Sequence, residues 1–167
     1  SQVGSEHIVQ VLDFAELPNG RLMFVMEYVD GRPLNRELRK GRLSVARTIG
    51  ILRQVAKGLG AAHNAKVIHR DVKPENLMVS DVDDPAKCRL VMIDCGYAAI
   101  QKHDNEKRDG LAGSPEDAAP EVLTWYDDAN GTPYGTGSDL WSLGVLLYVL
   151  LSGCSPFSAD EEEQLLK

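Results

Sequence analysis

The eight residues His69-Arg70-Asp71-Val72-Lys73-Pro74-Glu75-Asn76 put a base, a cation and a metal-ligating amide into one short loop. Asp71 can accept the proton of an attacking hydroxyl, Lys73 can neutralise charge developing on a transferred phosphoryl group, and the Asn76 amide oxygen can ligate Mg2+. Eighteen residues further on, Asp94-Cys95-Gly96 follows the apolar run Leu90-Val91-Met92-Ile93, which sets a second hard oxygen ligand at a strand end. Asn76 and Asp94 together can clamp one metal ion. Phosphoryl transfer is the chemistry that these residue types and spacings favour.

The elements that must position this loop are legible on both sides of it. Residues 8–14 and 21–28 are β-rich runs joined at Pro18-Asn19-Gly20, which has turn chemistry, so they read as a hairpin. After Asp30-Gly31-Arg32-Pro33 the pattern turns helical: a short helix over 34–40, then a long one capped by Ser44, with Val45, Ile49, Leu52, Val55 and Leu59 on one face and an end near Asn64. Val67-Ile68 leads into the loop. Residues 77–79 and 89–93 form a second candidate hairpin around the polar stretch 80–87. Asp81-Val82-Asp83-Asp84 is not a calcium loop, because Ala86 stands where the obligatory glycine would be and Met92 where the last carboxylate would be. Residues 140–151 are an apolar run too short for a bilayer, read as a buried helix in which Trp141, Leu143, Leu146, Leu147 and Leu150 pack around it.

Composition narrows the function classes. A chain of 167 residues with 43% hydrophobic content can fill one core. Its net charge of −7 and pI near 5.1 disfavour nucleic acid or an anionic membrane as partner and are compatible with a basic peptide. The three cysteines, Cys88, Cys95 and Cys154, form no CxxC pair and suggest neither disulfides nor zinc, so a cytoplasmic setting, or a nuclear one, is expected. The four scattered histidines, His63 and His69 among them, read as packing or hydrogen-bonding groups.

The octet resembles the catalytic loop of protein kinases, and the resemblance continues in order along the chain. Asp94-Cys95-Gly96 is similar to the metal-binding Asp-Phe-Gly motif, Ala119-Pro120-Glu121 to the end of an activation segment, and Ser138-Asp139-Leu140-Trp141-Ser142-Leu143-Gly144 to the start of the large central helix. The run from Trp141 to Phe157 looks most like the calcium/calmodulin-dependent group. The resemblance implies an α+β, protein-kinase-like fold that is incomplete: a remnant of the β-rich small lobe plus most of the mainly helical large lobe. Residues 1–29 would be the last small-lobe strands and hinge, and 30–167 the large lobe, truncated after the central helix.

For the site, the resemblance implies ATP and Mg2+ as cofactors and a serine or threonine of a protein as acceptor. Asp71 would be the base and Lys73 the electrostatic stabiliser, with Asn76 and Asp94 on the metal. Met26 would be the gatekeeper, backbone groups of Glu27 and Val29 would bond the adenine, and Met78 would lie beneath it. Glu75 falls within the cofactor-binding set and can also read a basic residue on the peptide. Lys73 and Ser114, which would bridge Asp71 and Lys73, favour the serine/threonine class. Asp139 would accept hydrogen bonds from the backbone of the catalytic loop.

The departures matter as much. Cys95 replaces the family's phenylalanine, a large-to-small change that costs about 2–5 kcal/mol where a cavity cannot relax. Pro33 stands where many relatives have a glutamate, and Asp117 where they usually have an aromatic residue. No hydroxyl other than Tyr97 lies between Gly96 and Ser114, so Asp104, Glu106 or Asp109 could pair with Arg70 in place of a phosphate, or the loop could simply be solvated. Neither a Gly-rich phosphate loop nor a Val-Ala-x-Lys strand is present, and residue 1 is Ser, which suggests part of a longer polypeptide. Two readings follow: a serine/threonine kinase domain whose segment alone is poorly active, or a pseudokinase-like binding module.

Overall fold

The computed structural model describes residues 4–84, 86–93, 99–100, 114–124 and 135–157. Strands β1 (Val11–Glu16) and β2 (Leu22–Met26) pair antiparallel, with Val11 opposite Met26 and Glu16 opposite Leu22, around the turn at Gly20. Strand β3 (Arg32–Pro33) leads into helix α1 (Leu34–Leu38), and Ser44 caps helix α2 (Val45–Asn64) by accepting from the Arg47 amide at 3.4 Å. Next come β4 (Val67–Ile68), a single 3-10 turn at Pro74–Asn76, β5 (Leu77–Ser80), β6 (Arg89–Met92) and β7 (Ala99–Ile100). A second 3-10 turn at Pro115–Asp117 precedes α3 (Pro120–Thr124) and α4 (Thr136–Ser152). The sheets are small and antiparallel: β1-β2, β3-β5-β6 and β4-β7. The architecture is α+β.

The core lies between α2, α4 and the β5-β6 pair. Ile51, Val55 and Leu59 of α2 meet Leu77, Leu90 and Met92 of the sheet and Leu146 and Leu150 of α4. Burial of each such aliphatic side chain is worth about 1.5–3 kcal/mol. The buried stripe of α2 differs from the face expected from sequence. Thr48, Ile51, Val55, Leu59 and Ala62 are buried, whereas Val45 is 63% and Ile49 52% exposed. At 100° per residue those two sit at the flank of the stripe, and an apolar side chain beside a stripe looks in sequence much like one within it.

Helix α4 is likewise less enclosed than expected. Its buried residues include Asp139, Ser142, Val145, Leu146 and Leu150, but Leu147 is 40% exposed and Tyr148 49%. Among the described residues only one side of the helix meets α2 and the 115–117 turn. Gly153, at φ 85, supplies the left-handed conformation that ends it.

The first strand begins at Val11 rather than Ile8. Ile8 forms a parallel bridge with Met92, and the Val9 amide donates to the Met92 carbonyl at 2.9 Å, so residues 7–9 dock on β6. His7 Nδ1 lies 3.1 Å from the Leu90 carbonyl. Gly58 makes this approach possible: a Cβ there would come within 2.5 Å of Met92 Cε and 3.3 Å of both His7 Cβ and the His7 carbonyl oxygen. Gly60 has nothing within 4 Å. Gly60→Ala should therefore stabilise the helix by about 0.5–1 kcal/mol. Gly58→Ala should instead destabilise by about 1–2 kcal/mol, because overpacking outweighs the helix gain. Urea midpoints of the two variants check this; two shifts of the same sign would show that the contact yields.

Candidate active site

The loop from His69 to Lys73 is held by a buried carboxylate. Arg70 has φ 68, a left-handed conformation unfavourable for a side-chain-bearing residue. Asp139, fully buried on α4, offsets that cost by accepting from the Arg70 amide at 2.8 Å and the His69 amide at 3.0 Å. His63 Nε2 lies 2.7 Å from Asp139 Oδ2, and since a carboxylate only accepts, this nitrogen carries the proton. Asp139 thus has the expected role, and His63 is a hydrogen-bonding group, although its partner lies 76 residues away and is invisible to local pattern.

Asp71 is only 4% exposed. Its Oδ2 accepts from Asn76 Nδ2 at 2.6 Å and pairs with Lys73 Nζ at 3.0 Å. Among the described residues its Oδ1, which is buried, has no hydrogen-bond partner. A buried acceptor left unsatisfied is costly, and it points to a donor that the bound state supplies. Lys73 Nζ also donates to Ser114 Oγ at 2.9 Å, so the cation bridges the two loops. Pro74 at the start of the 3-10 turn presets its φ, and the Asn76 amide closes the turn on the Lys73 carbonyl at 3.0 Å.

Among the described residues Asn76 makes both its side-chain bonds through Nδ2, so its amide oxygen is the atom suited to a hard cation, and the residue fits a Mg2+ ligand. The Ile93 amide donates to the Asn76 carbonyl at 2.9 Å, tying this residue to the chain just after β6. Asp94 and Cys95 lie outside the described residues, as do Asp104, Glu106 and Asp109.

Glu27, Val29 and Met78 come together elsewhere, around a cleft of about 420 Å³ that Tyr28, Asp30 and Val91 also line. Met26 ends β2, and the Glu27 amide is bonded to the Gln10 carbonyl at 3.0 Å. Met78 is half-buried and pairs across the sheet with Val91, so it forms a wall of the cleft rather than sealed core. Glu75 is not among the cleft residues. It is exposed, and its Oε1 accepts from Asn35 Nδ2 on α1 at 3.1 Å. Buried Glu37, paired with Arg32 and with Lys40, anchors α1 and so places Asn35.

Two features of the site escaped sequence reasoning. One is the Asn35–Glu75 contact. The other is the clamp on Asp117, whose carbonyl accepts from Ser142 Oγ at 2.8 Å and whose amide donates to the Ser114 carbonyl at 3.0 Å. A serine inside an apolar helix was the available signal, since such a hydroxyl needs a partner. Burial pushes the Asp117 carboxyl up to about 6, helped by the charges of Glu75, Glu116 and Asp71 and opposed by Lys73.

The loop around Asp71 and the cleft at Glu27 and Val29 thus sit in one α+β frame. The protein kinase domain model matches residues 1–167, and the chain belongs to the protein kinase family. It is 40% identical over 162 residues to a putative CBL-interacting protein kinase 13 of Oryza sativa subsp. japonica, covering 93% of this chain and 29% of that protein. It is 36% identical over 167 residues to the serine/threonine-protein kinase pkn3 of Myxococcus xanthus, with 96% and 29% covered. A calcium and calcium/calmodulin-dependent serine/threonine-protein kinase of Oryza sativa subsp. japonica is 35% identical over 166 residues, with 96% and 30% covered. The chain thus spans roughly three tenths of the length of these relatives.

Proposed function

We propose that this segment carries the catalytic loop, hinge and metal ligands of a serine/threonine protein kinase that transfers the γ-phosphoryl group of ATP to a protein hydroxyl. The observation that carries this reading is Asp71: one oxygen is locked by Asn76 and Lys73, and the other is buried without a partner. The unpartnered Oδ1 takes the proton of the substrate serine or threonine as its oxygen bonds to the γ-phosphorus. The bond from that phosphorus to the β–γ bridging oxygen breaks, and ADP leaves with the electron pair. Lys73, oriented by Ser114, offsets the charge on the transferred group.

Asn76 and Asp94 would hold Mg2+, which neutralises phosphate charge when bound. Backbone groups of Glu27 and Val29 would bond the adenine over Met78. The grip on the phosphates from above comes, in this reading, from residues outside the 167, so the segment by itself is a weak catalyst. A cytoplasmic or nuclear site of action, away from nucleic acid and membrane, accompanies the proposal. It draws on the acidic charge and on Cys88 and Cys154 being free, and among the described residues no helix is long and apolar enough to cross a membrane.

The full-length protein given Mg2+ and γ-labelled ATP should label serine or threonine residues of an added protein mixture. Nucleotide binding without transfer would favour the second reading, a pseudokinase-like module, for which the replacement of phenylalanine by Cys95 is the supporting observation.

A further inference from the structure

We infer that Arg32, Arg36, Arg39, Lys40 and Arg42, on α1 and the residues flanking it, form a docking surface for an acidic, Asp/Glu-rich segment of a partner protein. This surface is independent of the phosphoryl-transfer reading.

Positive charge is concentrated here against the trend of the whole chain. Six of the 18 Lys and Arg but one of the 25 Asp and Glu fall between Arg32 and Arg47, in a protein of net charge −7. That one acid, Glu37, is only 4% exposed and already serves two cations: it pairs with Arg32 Nε, and its Oε2 lies 3.1 Å from Lys40 Nζ. One carboxylate between two cations leaves positive charge in excess. Because Arg32 meets Glu37 through Nε, its two Nη groups are left to donate to a second carboxylate. Arg36, Arg39 and Arg42 are exposed and make no ion pair among the described residues, whereas Arg47 is paired with Asp83. Arg36 precedes Arg39 by three residues and Lys40 by four on one turn of helical backbone, a spacing at which like charges repel. An anionic ligand relieves that repulsion as it binds.

The surface also stands on a fixed backbone. Buried Glu37 anchors it from within, and the amides of Lys40 and Gly41 each close a turn at 3.0 Å, on the carbonyls of Glu37 and Leu38. Beyond them the Leu43 amide donates to the Leu150 carbonyl of α4 at 2.9 Å. Cations presented from a set backbone lose less freedom when a ligand engages them. Asn35 of the same helix bonds Glu75, so a partner docked on α1 is held next to the loop that carries Asp71. Outside this stretch acids outnumber cations, so a nucleic-acid duplex or an anionic bilayer, whose charge runs past the patch, meets net negative protein around it. A short acidic segment ends where the patch ends, and its charges act within the Debye length of about 8 Å at physiological salt.

The test is fluorescence anisotropy with the full-length protein, a labelled Asp/Glu-rich peptide and its Asn/Gln counterpart. At physiological salt the acidic peptide should bind about tenfold more tightly than the neutral one, and the preference should shrink as salt is raised. Arg36→Gln/Arg39→Gln should reduce it to about twofold, each exposed pair being worth a factor of about two to five. Arg53→Gln/Lys57→Gln removes the same charge from exposed residues of α2 outside the surface, and there the preference should stay at about tenfold. All four side chains are exposed, so the fold survives their replacement. No preference in wild type, or an equal loss in both double variants, overturns the docking surface. Tighter binding of a DNA duplex or of phosphatidylserine vesicles than of the acidic peptide, lost in Arg36→Gln/Arg39→Gln, overturns the choice of a protein partner.

Discussion

Asp71→Asn should lower phosphoryl transfer by about 10²–10⁴-fold in the full-length protein, the range expected for loss of a positioned general base. The substitution keeps the shape of the side chain and removes its basicity. Asp71 is buried, so the surrounding packing is set by volume and is preserved. On the proposed reading the loss should appear in kcat rather than in nucleotide binding, because the unpartnered Oδ1 would meet the attacking hydroxyl and Asp71 does not line the cleft at Glu27 and Val29. Asparagine also removes the charge that holds Lys73 at 3.0 Å, leaving the cation with Ser114 alone. Part of the decrease then reflects a less constrained Lys73, and Lys73→Met measured in the same assay separates the two contributions. Single-turnover measurement of labelled product is the direct check. Equal rates for wild type and Asp71→Asn would remove Asp71 from its role as base.

Asp139→Ala should destabilise the fold by about 3–5 kcal/mol, because it strips a fully buried carboxylate from three donors at once. The His69 and Arg70 amides would be left without the acceptor that compensates the left-handed Arg70, and His63 would lose its partner. Urea denaturation of the variant, with the midpoint compared to wild type, reads this directly. A shift below about 0.5 kcal/mol would show that the loop holds its conformation by other means. Asp139→Asn is the informative companion. One of its two positions becomes an NH2, which faces either the Arg70 amide or the His69 and His63 donors, so the cost should be smaller than for alanine but not absent. Neither variant touches a reacting atom; any loss of transfer beyond the loss of folded protein reports displacement of Asp71.

Both expectations concern residues legible in the sequence, and the reason is local. The octet from His69 to Asn76 declares its chemistry through residue type and spacing alone, and Ser44, Pro74 and the Pro18-Asn19-Gly20 turn announce their elements through backbone preferences that need no neighbours. The two hairpins and the long helix followed from such signals, and the α+β class from the resemblance to protein kinases. The fate of apolar side chains did not. Ile8 looked like the first residue of a strand and instead docks beside Met92, and Ile49 looked like core and is exposed. Periodicity shows that an element has an apolar side, but only the partner that arrives decides how wide that side is.

The sequence by itself determined that a base, a cation and a metal-ligating amide share one loop. It also determined the kinase family, because local chemistry and motif order survive without coordinates. Only the tertiary structure decided that Asp139 reaches back across 70 residues to hold that loop, that Asp71 keeps one oxygen free of partners among the described residues, and that Ser142 donates to the Asp117 carbonyl 25 residues away. Those are relations between residues distant in the chain. They exist once burial of the α2, α4 and β5-β6 surfaces has brought the segments together, since a hydrogen bond or an uncompensated charge acts over a few ångströms of space and takes no account of sequence separation.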